Sequence, residues 1–378
     1  MSKISLKQIL KNVLCRLPIK RYIVFESVPD FTDNSKAVYD EMLRRGLNKK
    51  YKCIWLVSDR RKIYPKHENT WYVDTCNGLG RVMLYYYMVR AKCLICCNKF
   101  LYTDNKKQKS FFLTHGTAIK SVHEYYNVPD GIDYILIASE GTKEMMSYEL
   151  NGNINKFIPL GFPRNDVLQS VGRNLHDYFG EKFDKIIAWY PTFRQHKSGN
   201  TAGGEHTIPI IHAEEQAFEV NRIAAENKVL LVVKPHFAQD TSYIKRLGLS
   251  NIAFIDDSFF ENKDISSYEF IGSCDALITD YSSVYYDFLL CDKPIAMVWE
   301  DYEEYRMNPG FAYDMSFCAK GAEKIYDVND MVGFISLVAK GEDRLCQERR
   351  EIKNWANFAD DGKNSARVVE FIIEKAEL

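Results

Sequence analysis

Short, fully apolar runs recur along this chain, each ended by a polar or Gly-bearing turn and followed by a helical pattern. Residues 22–25, 53–57, 71–73, 93–97, 111–114 and 134–138 form one series. Residues 186–190, 229–233, 253–255, 276–279 and 295–298 form a second. Short runs without polar alternation are what strands buried on both faces look like, as in a parallel sheet. Helical patterns lie between them, among them 35–46, 80–90, 141–150, 213–227 and 265–273. Strand–helix alternation of this kind packs as a parallel sheet with helices on both faces. The predicted class is therefore α/β. Turn residues between Gly161 and Gly180 interrupt the alternation, which then restarts. This predicts two Rossmann-like, doubly wound domains facing a central cleft. The expected division is a basic amphipathic segment over 1–20, domains over 21–170 and 171–345, and a helical tail over 346–378.

A chain of 378 residues suits two domains. Its formal net charge of -1 removes any global attraction to nucleic acid, so no nucleic-acid partner is expected. Ten cysteines are scattered, several inside apolar runs, which is the usage of free thiols in a reducing compartment. Cys93 and Cys96 have metal-like spacing but no second pair, so neither a metal nor a cofactor is expected. No apolar run reaches membrane-spanning length and no secretory pattern begins the chain, which predicts a cytoplasmic protein. In residues 1–20, Leu6, Ile9, Leu10, Val13, Leu14 and Leu17 form one helical stripe among Lys3, Lys7, Lys11, Arg16 and Lys20. Such a segment either lies in an anionic membrane surface or packs on the body of the protein.

The stretch 275–294 carries the strongest local signal. Ala276–Thr279 reads as a buried strand, and Asp280, Ser282 and Ser283 supply helix-starting side chains before Val284, Phe288 and Leu289. A strand feeding a hydroxyl-rich helix start presents N–H groups and a positive dipole end to an anion. Alone, it is equally an ordinary helix cap.

Four further clusters stand at strand ends. Thr114-His115-Gly116-Thr117 with Lys120 offers a titratable imidazole, close backbone approach and donors for phosphate oxygens. Gly161-Phe162-Pro163-Arg164-Asn165-Asp166 pairs a turn with a guanidinium fork. Tyr190-Pro191-Thr192-Phe193-Arg194 and Lys234-Pro235-His236 add a guanidinium, an ammonium and an imidazole. Each has a bland alternative as a capped turn, a linker or a surface ion pair. Together they place positive charge where α/β folds bind ligands, which points to a phosphate or diphosphate. The Gly-rich loop after the strand at 186–190 (195–212) reads as a mobile loop at the cleft. The phosphate-loop NTPase pattern and the nucleophile-elbow pattern are both absent.

The ordered set His115-Gly116-Thr117 with Lys120, Gly161–Asp166, Pro191–Arg194, Lys234-Pro235-His236 and Thr279-Asp280-Tyr281-Ser282-Ser283 resembles the CDP-glycerol glycerophosphotransferase family, which includes teichoic-acid primases and polymerases. Phe25-Glu26-Ser27 with Asp33-Asn34, and Phe358–Lys363, look like that family's beginning and end. The resemblance implies a GT-B-like fold and transfer of an alditol phosphate from a CDP-alditol to a hydroxyl of a lipid-linked glycan or growing surface polymer, releasing CMP. It implies His115 and His236 as the catalytic pair. It implies Gly116, Thr117, Lys120, Arg164, Asn165, Arg194, Lys234, Thr279, Asp280, Ser282 and Ser283 as substrate-binding. It also implies a peripheral place on the inner face of the cell membrane, with residues 1–20 as the contact. Ala118 and Ile119, Ser121-Val122-His123 and Phe193 depart from the family's usual residues, which leaves acceptor and alditol open. The alternatives are a GT-B glycosyltransferase or epimerase acting on a nucleotide-sugar, a CDP-ribitol-dependent transferase, and a non-catalytic scaffold.

Overall fold

A computed structural model of the chain describes residues 17–59, 61–170, 172–192, 208–235 and 241–378. They form two compact units. Unit 1 takes the described residues of Met1–Thr117, His123–Asp166 and Asp361–Leu378; unit 2 takes those of Ala118–Val122 and Val167–Asp360.

Unit 1 is built on seven strands: β1 (Tyr22–Glu26), β2 (Lys52–Val57), β3 (Thr70–Asp74), β4 (Cys93–Cys96), β5 (Lys109–Phe112), β6 (Tyr134–Ile137) and β7 (Phe157–Pro159). Their order is β3-β2-β1-β4-β5-β6-β7, every pair parallel. Unit 2 has β8 (Lys185–Trp189), β9 (Val229–Val233), β10 (Ile252–Phe254), β11 (Ala276–Thr279), β12 (Ile295–Val298) and β13 (Glu323–Ile325). Their order is β10-β9-β8-β11-β12-β13, again parallel throughout. Each order runs outward from its first strand and then reverses, so each sheet has a switch point, between β1 and β4 and between β8 and β11.

The apolar runs explain the layering. In unit 2, Ile186, Ala188, Leu230, Val232, Leu277 and Met297 belong to one core, and Ile187, Trp189, Leu231, Val233, Ile278 and Val298 to another. Successive strand residues point to opposite faces, and both faces are dry because helices cover both. In unit 1, Ile23, Phe25, Trp55, Cys93, Ile95 and Phe111 face a core closed by Val38 and Met42 of the helix Asp33–Arg44. Val368, Val369 and Ile372 of the helix Asn364–Ala376 complete it. The two helices of the C-terminal stretch are thus divided: Cys346–Ala356 lies in unit 2 and Asn364–Ala376 in unit 1.

The nine described cysteines are free thiols. Burial pushes the Cys53 thiol up to about 12 and raises those of Cys93 and Cys97 well above the ordinary range. These three buried thiols are inert packing groups. Among the described residues no group of three potential ligands is placed to hold a metal ion, and no helix is long and apolar enough to cross a membrane.

Candidate functional site

In unit 1 the candidate residues gather at the carboxyl ends of the strands. The chain leaves β5 through Thr114 at φ 50 and Gly116 at φ 143. A β-branched residue at positive φ is strained and needs support. Two hydrogen bonds give it. The Thr114 hydroxyl donates to the Leu136 carbonyl at 2.9 Å, and the Asn34 amide donates to the Thr114 carbonyl at 3.1 Å. The turn leaves the His115 side chain exposed, 6.4 Å from the Tyr126 ring between centroids. Thr117 is 1% exposed, and among the described residues its hydroxyl has no hydrogen-bond partner. A buried hydroxyl left so costs about 1–3 kcal/mol.

Asn34 also reaches the second cluster. Its carbonyl oxygen accepts from the Arg164 N–H at 3.1 Å, and its amide has a longer contact to the Leu113 carbonyl at 3.4 Å. Beside it, Asp33 (φ 60) takes the Arg164 guanidinium at 2.7 Å, with both side chains largely buried. The adjacent pair Asp33-Asn34 therefore holds two loops that are far apart in sequence. Arg164 has a carboxylate partner inside unit 1. Asn165 is buried, its N–H donating to the Phe162 carbonyl at 3.0 Å. Asp166 accepts the N–H groups of Asn364 and Ser365, both at 2.8 Å, at the start of the last helix, and burial raises its carboxyl above the ordinary range. At the switch point, Glu26 accepts the N–H groups of Cys97, Asn98 and Lys99 at 3.2, 3.1 and 3.0 Å. Burial raises its pKa against the pull of those three donors.

Lys120 and His115 are divided between the two units. Residues 118–122 belong to unit 2, where Lys120 bridges antiparallel to Phe311 and the Ser121 N–H donates to the Gly310 carbonyl at 3.0 Å. Ile119 is buried in a unit 2 core, which anchors the segment and leaves the Lys120 side chain exposed.

In unit 2 the other candidates stand at the ends of three adjacent strands, β9, β8 and β11, which lie about 4.8 Å apart. The strand ends are stitched together. The Tyr190 N–H donates to the Ile278 carbonyl at 2.8 Å, the Thr279 hydroxyl to the Tyr190 carbonyl at 3.0 Å, and the Thr192 N–H to the Asp280 carboxylate at 2.7 Å. Thr279 and Asp280 are fully buried, so both brace the loops. Lys234 follows β9, with its ammonium 3.0 Å from the exposed carboxylate of Asp257. With the Asp257 side in water, a pair of this kind is worth about 0–1 kcal/mol. Ser282 and Ser283 begin the helical turn Val284–Phe288, which tightens into a 3-10 turn over Leu289–Cys291. Ser283 makes no side-chain cap bond, and Ser282 only a 3.5 Å contact to the Val284 N–H. The serines were expected to cap the helix by their side chains, and in the structure Ser283 does not.

Arg194 and His236 lie outside the described residues, as do residues 1–16 of the basic segment and most of the Gly-rich loop. The described end of that loop is tied down: His212 pairs with Glu300 at 2.9 Å, and the Ile210 N–H donates to the same oxygen at 2.8 Å. The Glu300 hydrogen bond raises the His212 pKa against the opposing effect of burial.

Sequence reasoning placed Asn34 in the family's opening pattern without its loop-pinning role, and passed over Glu300. Asp33-Asn34 reads as a helix start, and nothing local distinguishes an amide that caps from one that pins two distant loops.

Comparison with known proteins follows the same outline. The family model described as CDP-Glycerol:Poly(glycerophosphate) glycerophosphotransferase matches residues 9–374. A teichoic acid poly(glycerol phosphate) polymerase of Bacillus spizizenii is 26% identical over 333 residues, covering 80% of this chain and 80% of that protein. The solved wall teichoic acid polymerase TagF superposes with a TM-score of 0.73 at 18% identity, covering 97% of this chain and 93% of that one. The Staphylococcus aureus MnaA–UDP structure shares the fold more distantly, with a TM-score of 0.54 at 13% identity over 94% of this chain and 96% of that one.

Proposed function

The chain belongs to the CDP-glycerol:poly(glycerophosphate) glycerophosphotransferase family, and from that premise we propose that it moves an alditol phosphate, glycerol phosphate first, from a CDP-alditol to a hydroxyl of a lipid-linked glycan or growing teichoic-acid-type polymer. The acceptor oxygen attacks the β-phosphorus. The bond from that phosphorus to the bridging oxygen breaks, and CMP leaves with the electron pair. His115 takes the acceptor proton. His236 donates to or stabilises the departing phosphate. Arg194 and Lys234 neutralise charge on the diphosphate, while the N–H groups and hydroxyls at Ser282 and Ser283 hold its oxygens. Gly116, Thr117, Lys120, Arg164 and Asn165 complete the acceptor and donor contacts, and Thr279 and Asp280 shape the loops that carry them. Phosphoryl transfer draws most of its catalysis from such positioning and electrostatics.

The observation that carries this reading is in unit 2. Lys234 follows β9 and the Ser282–Ser283 turn follows β11, on either side of β8 at the same carboxyl edge of the sheet, and Ser283 is not consumed by capping. A nucleotide panel tests it. Selective thermal stabilisation by CDP and CMP supports the assignment, and stabilisation by UDP or GDP instead favours a nucleotide-sugar enzyme. The basic amphipathic pattern of residues 1–20 supports work at the inner face of the membrane, with teichoic acid, capsule or another surface glycan as the polymer.

A further inference from the structure

Ile63, Trp71, Leu79, Val82 and Tyr85 are exposed large apolar side chains from one short stretch of unit 1. Ile63 is 95% exposed, Leu79 74% and Val82 59%. The last two, with Tyr85, recur every third residue on the outer side of the helix Gly78–Arg90, whose Tyr87 and Val89 are buried. The Ile63 loop is held firmly. The Asp30 carboxylate accepts the N–H groups of Ser58 at 2.5 Å and Asp59 at 2.7 Å and the Tyr64 hydroxyl at 3.1 Å, and the Tyr64 ring stacks on Tyr72 at 4.8 Å. Loop and helix share a base: the Cys76 thiol donates to the Ser58 carbonyl at 3.4 Å, and the Thr75 N–H to the Val57 carbonyl at 2.8 Å.

Two further facts say what covers this flank. Cations interleave the apolar groups: Arg61, with a side chain 92% exposed and 3.3 Å from the Asp59 carboxylate, and the exposed Lys66 and Arg81. The far end of the helix holds the start of the described chain, with the Lys20 N–H donating to the Arg90 carbonyl at 2.8 Å and the Arg90 guanidinium to the Pro18 carbonyl at 3.2 Å. The described chain therefore begins against the same helix that carries Leu79, Val82 and Tyr85. Dry protein interfaces exclude cations from their core. Apolar side chains set singly among arginines and lysines match a layer of anionic headgroups over hydrocarbon.

We propose that this flank of unit 1, carried by the Ile63 loop and the outer side of the helix Gly78–Arg90, docks on an anionic lipid surface. It deepens the membrane-side reading above and rests on it for the lipid-borne acceptor. It adds a folded face that acts independently of residues 1–20.

Sedimentation of the full-length chain with phosphatidylglycerol–phosphatidylcholine vesicles, against phosphatidylcholine alone, tests it. The parent is expected to bind the mixed vesicles. The variant Ile63→Ser/Leu79→Asp/Val82→Asp alters side chains that stand in water, so its melting temperature is expected to hold. Its vesicle partitioning is expected to fall by about tenfold or more. A parent that ignores anionic vesicles, or a variant that binds them as the parent does, overturns the proposal. A parent that is dimeric without lipid, made monomeric by the same changes, overturns it in favour of self-association. Transfer from CDP-glycerol to a water-soluble acceptor is expected to be unchanged in the variant. Its absence in the parent as well defeats the transferase reading and leaves the vesicle result standing on its own.

Discussion

Replacing Asn34 by Ala isolates the group that joins the two unit 1 loops. The wild-type amide is fully buried and makes 3.1 Å hydrogen bonds to the Thr114 carbonyl and from the Arg164 N–H. Truncation removes both bonds, one to a buried carbonyl and one from a part-buried N–H, at about 1–3 kcal/mol each, so a loss of ~2–6 kcal/mol is expected. That is a large share of the roughly 5–15 kcal/mol that keeps a domain folded. The chain should still fold, with a lower urea midpoint. The kinetic effect should exceed the thermodynamic one. Thr114 sits at φ 50, and its carbonyl bond to Asn34 helps hold that strained turn. Once released, the turn relaxes and moves His115, the next residue. A misplacement of about 1 Å in a reacting group costs about a hundredfold. Urea titration gives the stability term. Steady-state assays with CDP-glycerol should show kcat falling by about that factor at little change in donor affinity. Hydrogen exchange should quicken at residues 114–117. An Asn34→Ala protein with wild-type kcat and an unchanged urea midpoint would refute the reasoning.

Three other outcomes are expected. His115→Ala should lower turnover by about 10²–10⁴-fold and leave CDP binding by calorimetry nearly intact, as removal of a general base does. Lys234→Ala should weaken CDP by about 10- to 150-fold, since it removes a charge-assisted contact of about 1.5–3 kcal/mol and leaves the Asp257 carboxylate without its cation. His212 has a folded pKa raised by Glu300, so its pairing contributes stability that is present below the ordinary histidine value of about 6.5 and lost as pH rises through the folded value. Glu300→Gln should therefore lower the melting temperature at acidic pH and hardly change it at pH of about 8.5, which a pH series of thermal scans reads directly. Equal destabilisation at both pH values would show that the backbone bond from Ile210, not the imidazole, matters.

The central strands were legible because burial on both faces leaves uninterrupted apolar runs, and β11 and β12 fall where 276–279 and 295–298 predict them. The edge strands β7 and β13 were not. Each has three residues, and Phe157-Ile158-Pro159 and Glu323-Lys324-Ile325 carry the proline or charge that sheet edges tolerate. The candidate site was legible as residue types at strand ends, since parallel topology sends every such loop to one edge. Its wiring was not. Asp280 looks like a helix-start carboxylate but turns back to the Thr192 N–H on the neighbouring strand end. Lys120 reads as part of the His115 cluster, yet burial of Ile119 commits 118–122 to unit 2. Choices of that kind are made by contacts distant in sequence, which no local pattern encodes.

The most direct test is mass spectrometry of products from the purified protein, an acceptor glycolipid, and CDP-glycerol and CDP-ribitol offered separately. An acceptor heavier by one or more alditol phosphates, with CMP released in equal amount, is the predicted result. An unchanged acceptor with every CDP-alditol, or a sugar added from a nucleotide-sugar control, would contradict the assignment.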